Sequence, residues 1–176
     1  MSRRTQQFEV LDHVERRRAQ WRRELPDVDT RGAALLGRMR WATLKVRPQI
    51  EAVFERHGID AGEFDVLATL LRCGPPYRLR PTELFQWLMV SSGGITQRLK
   101  RLERSALIRR PPDGADGRSL LVELTAKGRR VAEAAFREDM AVEARIVDAL
   151  DRDEQRQLAR LLAKLAASLD DAPDET

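Results

Sequence analysis

Apolar side chains recur every three or four residues along most of the chain, a spacing that predicts amphipathic α-helices. The N-terminal third contains two such segments, residues 7–24 and a longer one that begins after Asp29 and Thr30 and ends near Gly58. Pro48 interrupts the longer pattern and predicts a kink or a break there. The expected buried stripe of this helix consists of Leu35, Leu36, Met39, Val46, Ile50, Val53 and Phe54.

Two shorter helices are predicted in the middle of the chain. Asp60 and Glu63 have the spacing of a capping box at the start of the first one. Pro81 stands at a favourable first-turn position of the second, which extends to Leu88. The side chains that this second helix is expected to bury are Leu84, Phe85 and Leu88.

The next predicted helix has one apolar face and one polar, basic face. Its apolar positions are Ile95, Leu99, Leu102 and Ala106, and the opposite face carries Gly93, Gln97, Lys100 and Arg104. A helix of this kind fits the major groove of DNA, where glutamine and cationic side chains reach base edges. Ser91 and Ser92 precede it and offer N-cap hydroxyls beside a phosphate-binding helix start. The candidate DNA contacts are Ser91, Ser92, Thr96, Gln97, Lys100, Arg101, Arg104 and Arg118.

An alternating segment around a glycine-containing turn, residues 113–119, predicts a β-hairpin after this helix. Arg118, near the tip, is expected to enter a minor groove, which attracts cations where it narrows. A solvated hairpin whose arginine serves only solubility is the alternative. The preceding helix-turn-helix favours a wing, so the fold class is mainly α with a small β-wing, a winged helix-turn-helix domain.

Two more helices are predicted after the wing. Thr125 caps a helix that passes Arg145 toward Leu150, and Asp151 and Glu154 are spaced as a capping box for the last helix. An apolar stripe at a chain end often packs on a partner subunit, so these helices predict a homodimer. The alternative is that they fold back on their own domain. The stripe of the last helix consists of Leu158, Leu161, Leu162, Leu165 and Leu169.

The expected organisation is a single compact domain with three regions. Residues 1–58 form N-terminal helices for dimerisation and ligand binding, residues 59–124 the winged helix-turn-helix, and residues 125–176 the C-terminal dimerisation helices. The two-fold axis of a dimer places two recognition helices about one DNA turn apart, which predicts a pseudo-palindromic operator in double-stranded DNA.

Charge is distributed unevenly along the chain. Residues 72–118 carry ten basic and four acidic side chains, whereas residues 131–176 carry six basic and twelve acidic ones, which localises polyanion binding to the middle. No run of 18 apolar residues is present, the N-terminus lacks the apolar core of a secretory signal, and the lone Cys73 excludes an intrachain disulfide. A cytoplasmic protein without membrane contact is expected.

The run LMVSSGGITQRLKRLERSALIRRPPDGADGRSLLVELTAKG resembles the winged helix-turn-helix core of MarR-type regulators. The resemblance implies a dimeric DNA-binding protein, usually a repressor, that a small molecule or oxidation releases from its operator. Lys100 stands where many members have Asp, which is expected to alter base or phosphate contacts. Gly117 stands where the wing usually has Arg, so only Arg118 is carried over as the minor-groove residue.

The chain also resembles the urate-responsive branch of this family, which uses a Trp, an Asp and two Arg residues. These fall on Trp21, Asp65, Arg98 and Arg110, and the resemblance implies that they bind an anionic purine. From the residues themselves, we expect an Asp65–Arg98 ion pair to join two helices, and an anion held by Arg110 to weaken that pair. A packing role for Trp21, a structural ion pair and a phosphate contact for Arg110 are the alternatives.

Other effectors and functions remain open at this stage. The effector is alternatively a phenolic or other aromatic acid, or an oxidant that acts at Cys73, although a lone thiol without a lowered pKa is usually inert. His13 and His57 have no metal-ligand companions in the sequence, so no metal or cofactor is expected. Catalytic motifs are absent from the sequence, and a helical adaptor that binds only protein would leave the basic recognition face unexplained.

Overall fold

The computed structural model describes residues 12–88, 94–113 and 116–170. Two compact units make up the chain, one up to Gln49 and the other from Ile50 onward. The organisation expected from the sequence, one compact domain whose first region ends at residue 58, stays a prediction. The division falls inside the long helix, because most large apolar side chains of its first half are exposed and do not join the core.

The N-terminal unit consists of α1 (His13–Glu24) and the first part of α2 (Arg31–Arg56). Asp12 caps α1, since its Oδ1 accepts a hydrogen bond of 2.9 Å from the backbone N–H of Val14. Val14 packs on Gly37 of α2, where a β-carbon would lie 3.0 Å from Val14 Cγ1. A small residue at this position therefore allows the two helices to approach each other.

Only the C-terminal end of the predicted stripe on α2 is buried. Val53 and Phe54 belong to the core of the second unit, whereas Leu35 is 64% exposed. The helix is continuous through Pro48, so the predicted break does not occur. Exposed large apolar side chains of the N-terminal unit are Trp21, Leu25, Val28, Leu35, Leu36, Met39, Trp41 and Leu44.

The helix α3 (Ala61–Arg72) is central to the second unit. Its predicted capping box is confirmed: Asp60 Oδ1 accepts from the Glu63 N–H at 2.7 Å, and Glu63 Oε2 accepts from the Asp60 N–H at 3.0 Å. Val66 and Leu67 are fully buried in the core. The helices that pack on α3 are α4 (Pro81–Trp87), α5 (Ile95–Arg104) and α6 (Ala126–Val147).

The helix α4 buries only part of its predicted apolar face. Leu84 is fully buried and Leu88 packs partly against the core, as predicted. The prediction that Phe85 is buried is wrong, since this side chain is 40% exposed. It lies about 100° around the helix from Leu84 and so points away from the buried face.

Five short strands lie among the described residues of the second unit. One antiparallel sheet has the order β1–β5–β2, and the hairpin β3–β4 forms the wing that the sequence predicts. Pro112 pairs with Leu120 in this hairpin. The strands are β1 (Arg78–Leu79), β2 (Ile108–Arg109), β3 (Pro112–Asp113), β4 (Asp116–Leu120) and β5 (Val122–Leu124).

The C-terminal helices begin at the predicted caps. Thr125 Oγ1 accepts from the Gly128 N–H at 2.9 Å at the start of α6, and Asp151 and Glu154 cap the start of α7 (Arg152–Asp170) reciprocally. A β-carbon on Gly128 would overlap the carbonyl oxygen of Leu107, so only glycine fits there. No helix within the described residues is long and apolar enough to cross a membrane.

Candidate DNA interface and effector site

The recognition helix α5 begins and ends differently from its prediction. Its N-cap is Gly94, at φ +79°, so the predicted serine cap is wrong; glycine adopts this left-handed conformation without a steric penalty. Ser91 and Ser92 lie outside the described residues. Ala106 does not extend the apolar face, because α5 ends at Arg104 and the chain turns through Ala106 at φ +55°.

The two predicted faces of α5 are present. Ile95, Leu99 and Leu102 are buried, which fixes the helix on the core of the second unit. The opposite side presents polar side chains long enough to reach base edges or phosphates. These exposed residues are Thr96, Gln97, Lys100 and Arg104. With Glu103, the last three line a shallow depression of about 420 Å³.

Arg101, one of the predicted DNA contacts, forms ion pairs with residues of its own domain. Its Nε donates to Glu63 Oε1 at 2.7 Å, and its Nη2 forms an ion pair with Asp60. Both partners belong to the capping box at the start of α3. Sequence reasoning missed this contact because the partners are about forty residues away along the chain, and no local pattern signals it.

The base of the wing is attached to the helix-turn-helix by a second ion pair. Arg80, the N-cap of α4, donates from Nε to Asp113 Oδ2 at 2.8 Å, and Asp113 is 7% exposed. Arg118 lies in β4, but its side chain is outside the described part of the chain. The contact fixes where the wing leaves the domain.

Three of the four candidate effector residues lie in the second unit and carry buried polar atoms. These atoms are Oδ2 of Asp65, Nη1 of Arg98 and Nε of Arg110. The Arg98 guanidinium packs directly against Gly62, one helical turn before Asp65 on α3. The Arg98 guanidinium therefore lies beside α3, and the Asp65–Arg98 ion pair expected from the sequence stays a prediction.

The two buried guanidinium nitrogens have the electrostatics of an anion site. Arg98 Nη1 and Arg110 Nε have no hydrogen-bond acceptor among the described residues. A buried N–H group without an acceptor is costly, and more so on a cation. An oxyanion would supply the missing acceptors and neutralise charge at once.

Trp21, the fourth candidate, lies in the N-terminal unit and is 56% exposed. It lines a cavity of about 460 Å³ between α1 and α2, together with Trp41 and His13. The rings of Trp41 and His13 pack edge to face, with their centroids 4.1 Å apart. Most of the cavity wall is apolar, and Trp21, Trp41 and Leu44 of its lining also belong to the exposed apolar surface of α1 and α2.

Cys73 has the environment of an unreactive thiol. Its Sγ–H donates to the Leu70 carbonyl oxygen at 3.0 Å, and burial raises the pKa of the thiol. A raised pKa keeps the nucleophilic thiolate scarce at neutral pH, which disfavours sensing by oxidation. In the described part of the chain, no cluster of three metal-ligating side chains occurs.

A helix-turn-helix with an exposed basic recognition helix and a β-wing defines a winged-helix DNA-binding protein. A family model described as MarR family matches residues 57–119. The chain is 33% identical over 162 residues to the transcriptional regulator PecS of Dickeya dadantii, which covers 92% of this chain and 95% of PecS. With the transcriptional repressor Rv2887 of Mycobacterium tuberculosis it shares 32% identity over 122 residues, 69% of this chain and 86% of that protein.

Solved structures agree with this fold. A cysteine-to-serine variant of E. coli MarR in complex with operator DNA aligns with a TM-score of 0.64 at 26% identity, over 82% of this chain and 96% of that one. Sco5413 of Streptomyces coelicolor aligns with a TM-score of 0.68 at 26% identity, over 81% of this chain and 98% of that one. The chain therefore belongs to the MarR family. It is a DNA-binding transcriptional regulator and not an enzyme.

Proposed function

We propose that this protein is a homodimeric repressor that binds a pseudo-palindromic operator and is released by urate or a related anionic purine. The observation that supports operator binding is that α5 has a buried apolar face and an exposed face with Gln97, Lys100 and Arg104. Gln97 has the geometry to read a base edge, and the two cations to bind bases or phosphates. Thr96 lies in the first turn of α5, beside the phosphate-binding helix start.

Exposed apolar side chains at both ends of the chain support the dimer. On α7, Leu158, Leu161 and Leu162 are 40–52% exposed, and α2 exposes a comparable stripe. Surfaces of this kind are unfavourable in water and are usually covered by a partner. A second copy of the chain, related by a two-fold axis, would cover them and set two α5 helices at adjacent major grooves.

Buried cations in the second unit support an anionic effector. Arg98 Nη1 and Arg110 Nε both lack an acceptor among the described residues, and Asp65 lies one turn from the Arg98 contact on α3. Urate is a planar monoanion whose exocyclic oxygens can accept hydrogen bonds from guanidinium groups. The resemblance implies that Trp21 also takes part in effector binding, and Trp21 lines an aromatic cavity within the N-terminal unit.

Release follows from the position of Arg98 on the recognition helix itself. An anion that binds Arg98 changes the forces that hold α5 against α3, and so favours a different orientation of this recognition helix. Coupling of about 1–3 kcal/mol is usual for such a link and would weaken DNA binding roughly 5- to 150-fold.

The test is a urate titration of the protein bound to a fluorescent duplex from its own upstream region. We expect urate to lower the anisotropy of the complex and neutral hypoxanthine to leave it unchanged. Salicylate is a separate arm, because an aromatic carboxylate would suit the same cations. A complex that persists at saturating urate contradicts the proposed effector.

A pair of neighbouring variants makes the titration specific. Arg110→Gln removes a buried cation of the proposed site, so the variant should still bind operator but lose the response to urate. Arg109→Gln is the matched control, because Arg109 is exposed and pairs with Glu123 across the sheet. Equal responses from both variants would exclude Arg110 from the effector site.

A further inference from the structure

The basic residues of α5 divide into two groups by their contacts. Lys100 and Arg104 are exposed and make no ion pair within the described residues, whereas Arg98 packs against Gly62 and Arg101 pairs with Asp60 and Glu63. Residues that look equivalent in the sequence thus point to different partners. Two face solvent where DNA would bind, and two hold the helix to its own domain.

Arg101 belongs to a closed network at the start of α3. Glu63 uses Oε2 to accept from the Asp60 N–H and Oε1 to accept from Arg101 Nε at 2.7 Å. Asp60 uses Oδ1 to accept from the Glu63 N–H and Oδ2 to pair with Arg101. Each carboxylate therefore caps the helix with one oxygen and binds the arginine with the other.

We propose that Arg101 is a positioning residue, which sets the orientation of the recognition helix on α3 and does not contact DNA phosphate. The cluster carries one positive charge against two negative charges, so it does not attract a phosphate. Glu63 is 8% exposed, and removal of its cationic partner would leave a buried carboxylate uncompensated. The planar fork of arginine spans both carboxylates, which a lysine ammonium does not.

The position of Arg101 in α5 lets it determine where the exposed face of this helix lies. Arg101 is the seventh of ten residues in α5, and Gln97 lies about 6 Å away along the axis. A tilt or rotation of the helix of about 10° moves side-chain ends at a radius of about 6–10 Å by roughly 1–2 Å, which breaks hydrogen bonds to base edges. Contacts of flexible cations with phosphates tolerate such a shift better than base contacts do.

The two roles predict different salt dependences. A cation that contacts phosphate contributes to counterion release, so its loss reduces the slope of log K against log salt by about 1 and weakens binding to all sequences. A positioning residue changes only the fit to the operator. Its loss lowers specific affinity while the salt slope and the affinity for unrelated DNA stay the same.

The experiment measures dissociation constants of the full-length protein for operator and for a scrambled duplex at four salt concentrations. We expect Arg101→Gln to lose about tenfold or more on operator only, at an unchanged slope. Arg104→Gln is the matched control with an exposed cation, and should lower the slope by about 1 on both duplexes. The same uniform loss in Arg101→Gln, or no loss at all, would overturn the proposal.

Two further variants keep the test decisive if Arg101→Gln folds poorly. Arg101→Lys preserves the charge but not the fork, so positioning predicts loss of operator affinity and a phosphate contact predicts its retention. Glu63→Gln preserves the shape and removes one carboxylate of the cluster. Positioning predicts weaker operator binding in this variant, whereas a phosphate role predicts tighter binding because the arginine is released.

Discussion

Asp139 provides a pH-dependent test of how α6 packs against its domain. It is 4% exposed and lies on the buried stripe of α6 with Ala132, Ala135 and Val142. Its Oδ1 has no hydrogen-bond partner within the described residues. Burial, and secondly the nearby charge of Glu143, raise the pKa of this carboxyl to about 6.

The size of the effect follows from this pKa. Because the folded-state pKa lies above the ordinary aspartate value of 3.8, the folded protein binds the proton more tightly than the unfolded chain. The contribution to stability is fully present below about pH 4 and is lost as the pH rises to about 6. The difference corresponds to about 3 kcal/mol of unfolding free energy.

The perturbation is Asp139→Asn, which cannot ionise. We expect the free-energy difference between the variant and the wild type to move by up to about 3 kcal/mol in favour of the variant between pH 4 and pH 7.5. Because this difference is compared at two pH values, any change in unfolding free energy that the amide causes equally at both values cancels. Urea unfolding followed by circular dichroism measures this, at one fixed protein concentration because association contributes to stability.

Asp148→Asn is the matched control, since Asp148 is an exposed carboxylate at the end of the same helix. The Asp148 variant is measured at the same two pH values. If the Asp139 and Asp148 variants behave alike, ionisation of the buried carboxyl has no cost in the folded protein, and the prediction is wrong.

Three further predictions concern other parts of the chain. Gly128→Ala should destabilise the protein by more than about 2 kcal/mol in urea unfolding, because its β-carbon would overlap the Leu107 carbonyl, while Gly32→Ala, with open space around it, should not destabilise. Leu161→Glu should shift sedimentation toward the monomer, because Leu161 lies on the apolar stripe of α7, and Ala167→Glu on the other side of that helix should not. Peroxide should leave operator binding of both wild type and Cys73→Ser unchanged in gel-shift assays, because the thiol has a raised pKa; a loss that the serine variant abolishes would restore the oxidation hypothesis.

Helix starts and the faces of α5 could be read from the sequence because they depend on residues within one or two turns. The capping boxes at Asp60 and Asp151 and the Thr125 cap each join groups three residues apart. Predictions failed where a neighbour in space decides the outcome. Phe85 has an apolar side chain but no core beside it. The start of α5 is a separate, local case, because it is set by the left-handed conformation of Gly94.

In the candidate site, too, the sequence indicated residue types but not the contacts between helices. The residue types at Asp65, Arg98 and Arg110 indicated an anion site, whereas the contact of the Arg98 guanidinium with Gly62 of α3 could not be predicted from the sequence. The predicted set of DNA contacts likewise included Arg101, whose side chain the capping box of α3 engages. Periodicity shows which face of a helix a residue occupies, whereas its partner depends on how two helices pack.

For this protein, the sequence by itself determined the order of the elements, the caps at Asp60, Thr125 and Asp151 and the two faces of the recognition helix, because hydrogen bonds within a turn and the period of 3.6 residues are local. Only the tertiary structure decided which cations on α5 remain exposed for DNA and which hold the helix in place. Glu63 and Arg101 are 38 residues apart in the chain and 2.7 Å apart in space, and that proximity arises when α3 and α5 bury their apolar faces together.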